Sequence, residues 1–212
     1  MEHEQSGGVL GAVEQYYTAK LREFGANPAG VDWNGAESQT ARFEQVLRVL
    51  ADDSECSLTD IGCGYGALLT HIRTGQRPVR YIGVDISGDM IAAARSTFDH
   101  DTGARFLVAD APDVTADYCV ASGIFNVRLD ASVEDWQDYI LRTLDMMDVH
   151  SEHGFAFNCL TSYSDRDRMR PHLYYADPCF YFDLCKRRYS RQVALLHDYG
   201  LYEFTILVRK NP

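Results

Sequence analysis

The residues Leu58-Thr59-Asp60-Ile61-Gly62-Cys63-Gly64-Tyr65-Gly66 end an apolar stretch in a glycine-rich turn, and a helix-forming stretch follows. Glycine lets the backbone adopt left-handed conformations and pass close to a ligand at a helix N-terminus. Taken alone, the run fits a tight strand-to-helix turn with no ligand equally well. Asp85 changes the balance, because it closes the next apolar stretch roughly 20 residues on, where a carboxylate can accept from both hydroxyls of a ribose. The competing use of Asp85 is a solvated turn or a helix cap ahead of Ser87. A third carboxylate, Asp110, lies in Phe106-Leu107-Val108-Ala109-Asp110-Ala111 at the end of a further apolar stretch. It can accept from an adenine amino group. The glycine turn with Asp85 favours an adenosine-containing ligand, and Asp110 stands next to the expected crevice.

Such residues meet only if a scaffold brings the strand ends together. A helix is expected over residues 11–24, containing Tyr16, Tyr17 and Leu21, then a Gly/Pro/Asn-rich connection over 25–35 and a second helix over 39–50. Strands follow at 58–61, 80–84, 105–108, 118–122 and 154–160, with helices from residue 67, over 89–97 and over 133–149. In the last of these Trp136, Ile140, Leu144 and Met147 share one face. Strands separated by helices of this length need crossover connections, hence a parallel sheet covered on both faces. A helix from Pro178 carries Lys186-Arg187-Arg188 in its last turn, where cations meet the carbonyl end of the dipole. Residues 192–196 and 201–208 are strand-like and joined by His197-Asp198-Tyr199-Gly200 with no helix between them. They predict an antiparallel hairpin at one sheet edge. The fold class is therefore α/β, doubly wound, with a mostly parallel seven-stranded sheet, a C-terminal hairpin and an N-terminal helical cap. One domain is expected over 1–212, with a preface over 1–55 and a core over 56–212.

With 212 residues, 46% of them hydrophobic, the chain can bury one substantial core. A net charge of -11 argues against nucleic acid, whose phosphates are held by clustered Lys and Arg. No stretch approaches the roughly 20 apolar residues of a membrane span, and residues 1–8 lack the pattern of a secretory signal. A cytoplasmic protein that does not engage a membrane is expected. The six cysteines show no paired C-x-x-C spacing, so neither disulfides nor a metal site are expected.

The turn at Asp60 to Gly66, the acid in Gly83-Val84-Asp85-Ile86, the Ala109-Asp110-Ala111 strand end and the terminal hairpin together resemble the class I, Rossmann-like S-adenosylmethionine-dependent methyltransferases. The resemblance runs from about Leu58 to Val208. It implies Gly62, Cys63 and Gly64 against the methionine end of the cofactor, Asp60 near its amino group and Asp85 on the ribose. It further implies Ile86 and Met90 flanking adenine, Asp110 and Ala111 at the adenine edge, and Ser122 with Gly123 beside the methionine moiety. In related enzymes the preface caps the cofactor, so Tyr17, Gln39 and Arg42 are candidates to close over it, with Arg42 paired to the methionine carboxylate. Simple packing or solvation of these three is the alternative. Ser122-Gly123-Ile124-Phe125-Asn126 replaces the Asp/Asn-Pro-Pro-Tyr/Phe signature of many amino-group methylases acting on nucleobases and glutamine.

Acceptor candidates lie beyond the carboxyl ends of the strands: Asn126, residues 158–164, and His197-Asp198-Tyr199. His197 is the candidate general base, since an unperturbed imidazole titrates near neutrality, and a hydrogen-bonding turn residue is its ordinary alternative. Tyr163 is the second catalytic candidate. It shares the long 161–178 connection with Tyr174, Tyr175, Arg166, Arg168, Arg170 and His172, a mixture suited to a small polar or anionic acceptor or, with Asp165, Asp167 and Asp177, to a self-neutralised loop. The expected activity is methyl transfer to an oxygen or nitrogen of a small molecule, such as a sugar derivative or specialised metabolite, leaving S-adenosylhomocysteine. The alternatives are an NAD-dependent oxidoreductase, disfavoured by Asp60 and the hairpin, and a catalytically silent S-adenosylmethionine-binding protein. Either a monomer or a homodimer fits.

Overall fold

The computed structural model describes residues 3–27, 30, 35–50 and 55–210, with residues 3–9 as backbone alone. Seven strands form one sheet: β1 (Cys56–Ile61), β2 (Val79–Asp85), β3 (Ala104–Val108), β4 (Ala116–Ala121), β5 (Ser151–Leu160), β6 (Gln192–Leu196) and β7 (Glu203–Arg209). Their order is β3-β2-β1-β4-β5-β7-β6. The first five strands pair in parallel, and β7 runs antiparallel between β5 and β6. Strand order reverses between β1 and β4, and open sheets of this kind hold ligands beyond the carboxyl ends at that reversal.

Six helices accompany the sheet: α1 (His3–Phe24), α2 (Ala36–Val46), α3 (Ala67–Thr74), α4 (Gly88–Thr97), α5 (Val133–Val149) and α6 (Pro178–Arg188). Phe43 and Val46 of α2, Leu68, Leu69 and Ile72 of α3, and Ile91 and Ala94 of α4 pack with Leu58, Tyr81 and Phe106 of the sheet. The other face is covered by Trp136, Ile140, Leu144 and Met147 of α5 with Tyr181 and Cys185 of α6. Helix starts follow local chemistry. Ser132 accepts the Asp135 N–H ahead of α5, and Asp177 accepts from Cys179 and Phe180 ahead of α6, whose first residue is Pro178.

Several boundaries differ from the sequence expectation, β1, β4 and β5 beginning two or three residues early. α1 begins at His3 rather than residue 11, running through Gly7 and Gly8 despite their low helix propensity. The second helix begins at Ala36 and closes in a 3-10 turn over Leu47–Val49. The hairpin connection spans 197–202 rather than four residues, because β7 begins at Glu203. Part of the expected 25–35 connection, residues 28–29 and 31–34, lies outside the described residues. The long 161–178 connection is pinned to the sheet: Ser162 donates to the Ala176 carbonyl, Ala176 to Leu160 and Tyr174 to Asn126, each at 2.8 Å. No helix among the described residues is long and apolar enough to cross a membrane.

Candidate functional site

The turn after β1 owes its shape to glycine. Gly62, Gly64 and Gly66 hold φ of 70°, 56° and 86°, in the left-handed region. A Cβ at position 62 would stand 2.1 Å from Ile124 Cγ2, so the turn could not carry a side chain there even unstrained. The N–H groups of Gly62 and Cys63 donate to the Val84 carbonyl at 2.8 and 3.1 Å, tying the turn to the end of β2. Asp85 completes the tie: one oxygen accepts from Gly64 N–H and the other from Ser87 N–H, both at 2.8 Å. The turn-holding and ligand-facing uses weighed for Asp85 are therefore compatible, since each oxygen keeps a second lone pair. Burial raises the Asp85 carboxyl above its ordinary value, opposed by these two N–H donors and reinforced by the charge of Glu14.

These residues open onto a crevice of about 130 Å³, partly open to solvent. Of the residues expected to touch a cofactor, Asp60, Gly62, Cys63, Gly64, Asp85, Ile86, Met90, Asp110, Ser122 and Gly123 line it from the sheet side, and Tyr17 with Gln39 from the preface. Asp60 is 3% exposed and accepts from the Tyr81 hydroxyl at 2.5 Å. Burial pushes its carboxyl up to about 7 against that hydrogen bond, with the Asp85 charge adding to the rise.

Sequence reasoning missed several wall residues. Leu10, Val13 and Glu14 come from α1, Phe43 from α2, Ile124 from the turn after β4, and Tyr139 with Thr143 from α5. Leu10, Val13 and Tyr17 do fall at helical spacing, which was a legible stripe. Tyr139 and Thr143 sit beside the core stripe of α5 and carried no signal distinguishing them from it. The crevice has a pronounced electrostatic character: Glu14, Asp60, Asp85 and Asp110 line it, and no Lys, Arg or His does among the described residues. A pyrophosphate would meet the repulsion of these four acids, whereas a sulfonium and an ammonium would be attracted by them. That disfavours the nicotinamide alternative on chemistry as well as on topology.

Two expected cofactor residues fall outside this lining. Ala111 does not reach it, although Ala109 and Asp110 do. Arg42 is committed elsewhere, donating from Nε and Nη2 to the two oxygens of Glu203 at 2.7 and 2.6 Å, with the side chains 12% and 1% exposed. This pairing matches the packing alternative given for Arg42, and a methionine carboxylate would have to share the guanidinium with Glu203. Turning outward would strand a buried carboxylate, which is costly. Nothing in the sequence joins positions 42 and 203; their meeting depends on β7 entering between β5 and β6.

Beyond the carboxyl ends of β4 and β5 the polar groups are closely partnered. Gly123 N–H donates to Asn158 Oδ1 at 2.8 Å, and Asn158 Nδ2 to Ser122 Oγ at 3.1 Å. Asn126 accepts from Leu160 N–H at 2.9 Å and donates to Glu203 at 3.4 Å. The catalytic candidates do meet: the rings of Tyr163 and His197 lie 5.9 Å apart, both residues are exposed, and His197 also packs on Phe204. Neither belongs to the crevice lining. Tyr174 of the same connection is buried, with its hydroxyl 3.1 Å from that of Tyr181. Much of the loop's charge is answered locally, by Arg168 with Asp165 and by Arg170 on the carbonyls of Asp167 and Met169. A group with metal-ligand spacing among the described residues, Asp117 with Glu152 and His153, lies at the amino ends of β4 and β5, opposite the crevice.

Comparison with known proteins agrees with this geometry. Residues 59–147 match the family described as a methyltransferase domain. The Mycobacterium tuberculosis protein named "Putative methyltransferase Rv1506c" is 55% identical over 164 residues, covering 77% of this chain and 99% of that protein. Among solved structures, the DhpI-SAM-HEP complex superposes with a TM-score of 0.66 at 15% identity, covering 94% of this chain and 97% of the other. Magnesium protoporphyrin IX methyltransferase from Synechocystis PCC 6803 with bound SAH gives 0.64 at 13% identity, covering 94% and 99%. Human N-acetylserotonin methyltransferase in complex with SAM gives 0.59 at 16% identity, covering 96% and 67%. With the glycine turn, the strand-end acids and the β7 insertion in place, the chain belongs to the class I S-adenosylmethionine-dependent methyltransferases.

Proposed function

We propose that this enzyme, a one-domain cytoplasmic protein, methylates an oxygen or nitrogen of a small polar molecule, and that the crevice described above is its S-adenosylmethionine site. Bound there, the cofactor supplies a methyl group on a sulfonium sulfur, a carbon open to in-line displacement. Gly62, Cys63 and Gly64 then lie against its methionine end with Asp60 toward the ammonium, Asp85 accepts from the ribose hydroxyls, and Asp110 meets the adenine edge. Ser122 and Gly123, held by Asn158, form a rigid wall beside the methionine moiety. Such rigidity keeps a nucleophile at attack distance and angle, which is most of what methyl transfer asks of a protein.

The observation carrying the acceptor reading is the convergence of Tyr163 and His197 at the carboxyl ends of β5 and β6, on the crevice side of the sheet. In this arrangement Tyr163 offers an aromatic face to the acceptor and His197 removes its proton as the new bond forms. The exposed rings, the arginines of the 161–178 loop and the overall charge of -11 suit a small solute better than a polynucleotide.

The test is S-adenosylhomocysteine release, followed by mass spectrometry, across pools of small hydroxylated, aminated, carboxylated and phosphorylated molecules, with tRNA and whole-cell protein alongside. Methylation in a small-molecule pool, slowed tenfold or more by His197→Ala while cofactor affinity holds, supports the reading. Methylation confined to tRNA or protein contradicts it, and a His197→Ala variant with full turnover removes the base assignment.

A further inference from the structure

Glu14 has no place in the glycine turn or the strand-end acids, and the resemblance to methyltransferases assigns it nothing. It sits on α1, one turn before Thr18, whose hydroxyl lies 2.8 Å from that of Ser87. One turn later again, Arg22 pairs with Asp89 at 2.8 Å. These contacts clasp α1 to the start of α4 and bring the face bearing Glu14 over the end of β2, where Glu14 and Asp85 line the same crevice. Nature has thus put a fourth carboxylate where three already stand, with no cation among the described lining residues to balance it. In a crevice whose neighbouring wall is largely apolar, such an arrangement costs self-repulsion unless the occupant is positive.

The two forms of the cofactor differ in just this respect. S-adenosylmethionine carries a carboxylate, an ammonium and a sulfonium, for a net charge of plus one. When the acceptor's lone pair bonds to the methyl carbon, the carbon–sulfur pair stays on sulfur as a neutral thioether, and the positive charge leaves with the acceptor and its proton. S-adenosylhomocysteine is therefore a net-neutral zwitterion of nearly the same shape. Shape cannot separate cofactor from product by much; charge can.

We propose that Glu14 is a specificity-determining residue that shifts the crevice's preference toward the cationic cofactor over its neutral product. The proposal rests on the crevice being the cofactor site. Glu14 acts through the field it adds rather than through a contact with the methyl group. Its effect is therefore expected on any ligand positively charged at that position and absent on a neutral one. Burial is the main cause of the raised Asp85 carboxyl, and the Glu14 charge adds to it in the same direction.

The test measures dissociation constants by calorimetry for S-adenosylmethionine, S-adenosylhomocysteine and sinefungin, which presents an ammonium in place of the methylated sulfur. Wild type, Glu14→Gln and Asp85→Asn are compared, each freed of co-purified ligand. Glutamine keeps the size and helix propensity of the side chain and removes only its charge. Glu14→Gln is expected to weaken S-adenosylmethionine and sinefungin by about three- to tenfold, the scale of one partly screened charge pair, and to leave S-adenosylhomocysteine within about twofold. Equal weakening of all three ligands, or no change in their ratios, overturns the proposal. If Asp85→Asn also leaves every affinity unchanged, the crevice is not the cofactor site and the broader reading fails first. If Asp85→Asn weakens all three while Glu14→Gln shifts no ratio, the site stands and the role of Glu14 falls.

Discussion

The Arg42–Glu203 pair offers a perturbation whose size can be worked from the structure. Both hydrogen bonds are short, at 2.6 and 2.7 Å, and Glu203 is 1% exposed at the start of β7, opposite Leu160 of β5. Arg42→Ala leaves that carboxylate buried with Asn126, at 3.4 Å, as its neutral donor. Breaking one side of a buried pair costs about 3–5 kcal/mol. For a chain of 212 residues, each kcal/mol lowers the melting temperature by about 2–4 °C, so a fall of about 6–20 °C is expected in a thermal melt followed by circular dichroism. The double variant Arg42→Met with Glu203→Leu removes both charges and should recover most of the loss. It also separates two roles for Arg42. If the guanidinium serves only as a strut for α2, the double variant binds S-adenosylmethionine within a few-fold of wild type; if it reaches the methionine carboxylate, stability returns and affinity does not. A single Arg42→Ala melting within 2 °C of wild type would refute the argument from buried pairing.

Two further perturbations probe the crevice. Asp60 has its carboxyl raised to about 7 in the folded protein, above the ordinary 3.8, so the native state binds more protons than the unfolded chain between those values. Stability of the cofactor-free protein should therefore decline as pH rises from about 4 to 7, Asp60→Asn should melt higher than wild type at pH 8, and cofactor binding should release a proton below pH 7, read by calorimetry in buffers of different ionisation enthalpy. An unchanged melt for Asp60→Asn and no buffer dependence would contradict this. Gly62→Ala places a Cβ 2.1 Å from Ile124 in a left-handed residue; a loss of about 1–3 kcal/mol and at least tenfold weaker cofactor binding are expected, and wild-type affinity would show that the turn tolerates side chains.

Most of the fold was legible because period and punctuation agree. Val133–Val149 and Gln192–Leu196 follow their sequence boundaries, since Ser132 caps the first and a turn with Gly200 bounds the second. The glycine turn and the strand-end acids were legible because backbone approach and ribose recognition demand particular residue types at particular spacings. What escaped depends on how elements meet. Glu14, Tyr139 and Thr143 are ordinary helical residues until α1 and α5 are placed against the reversal between β1 and β4. Arg42 looked available because its partner lies in a strand whose insertion beside β5 sets the contact. The burial of Tyr174 was not legible, because a long polar connection conceals a backbone pinned to Leu160 and Asn126.

The central claim is that this crevice holds S-adenosylmethionine, and titration calorimetry of ligand-free wild type and Asp85→Ala with S-adenosylmethionine and NAD tests it most directly. Saturable binding of S-adenosylmethionine at one site, at least tenfold weaker in Asp85→Ala, with no heat from NAD, is the predicted result. Tight NAD binding, or S-adenosylmethionine binding that Asp85→Ala leaves unchanged, would contradict it.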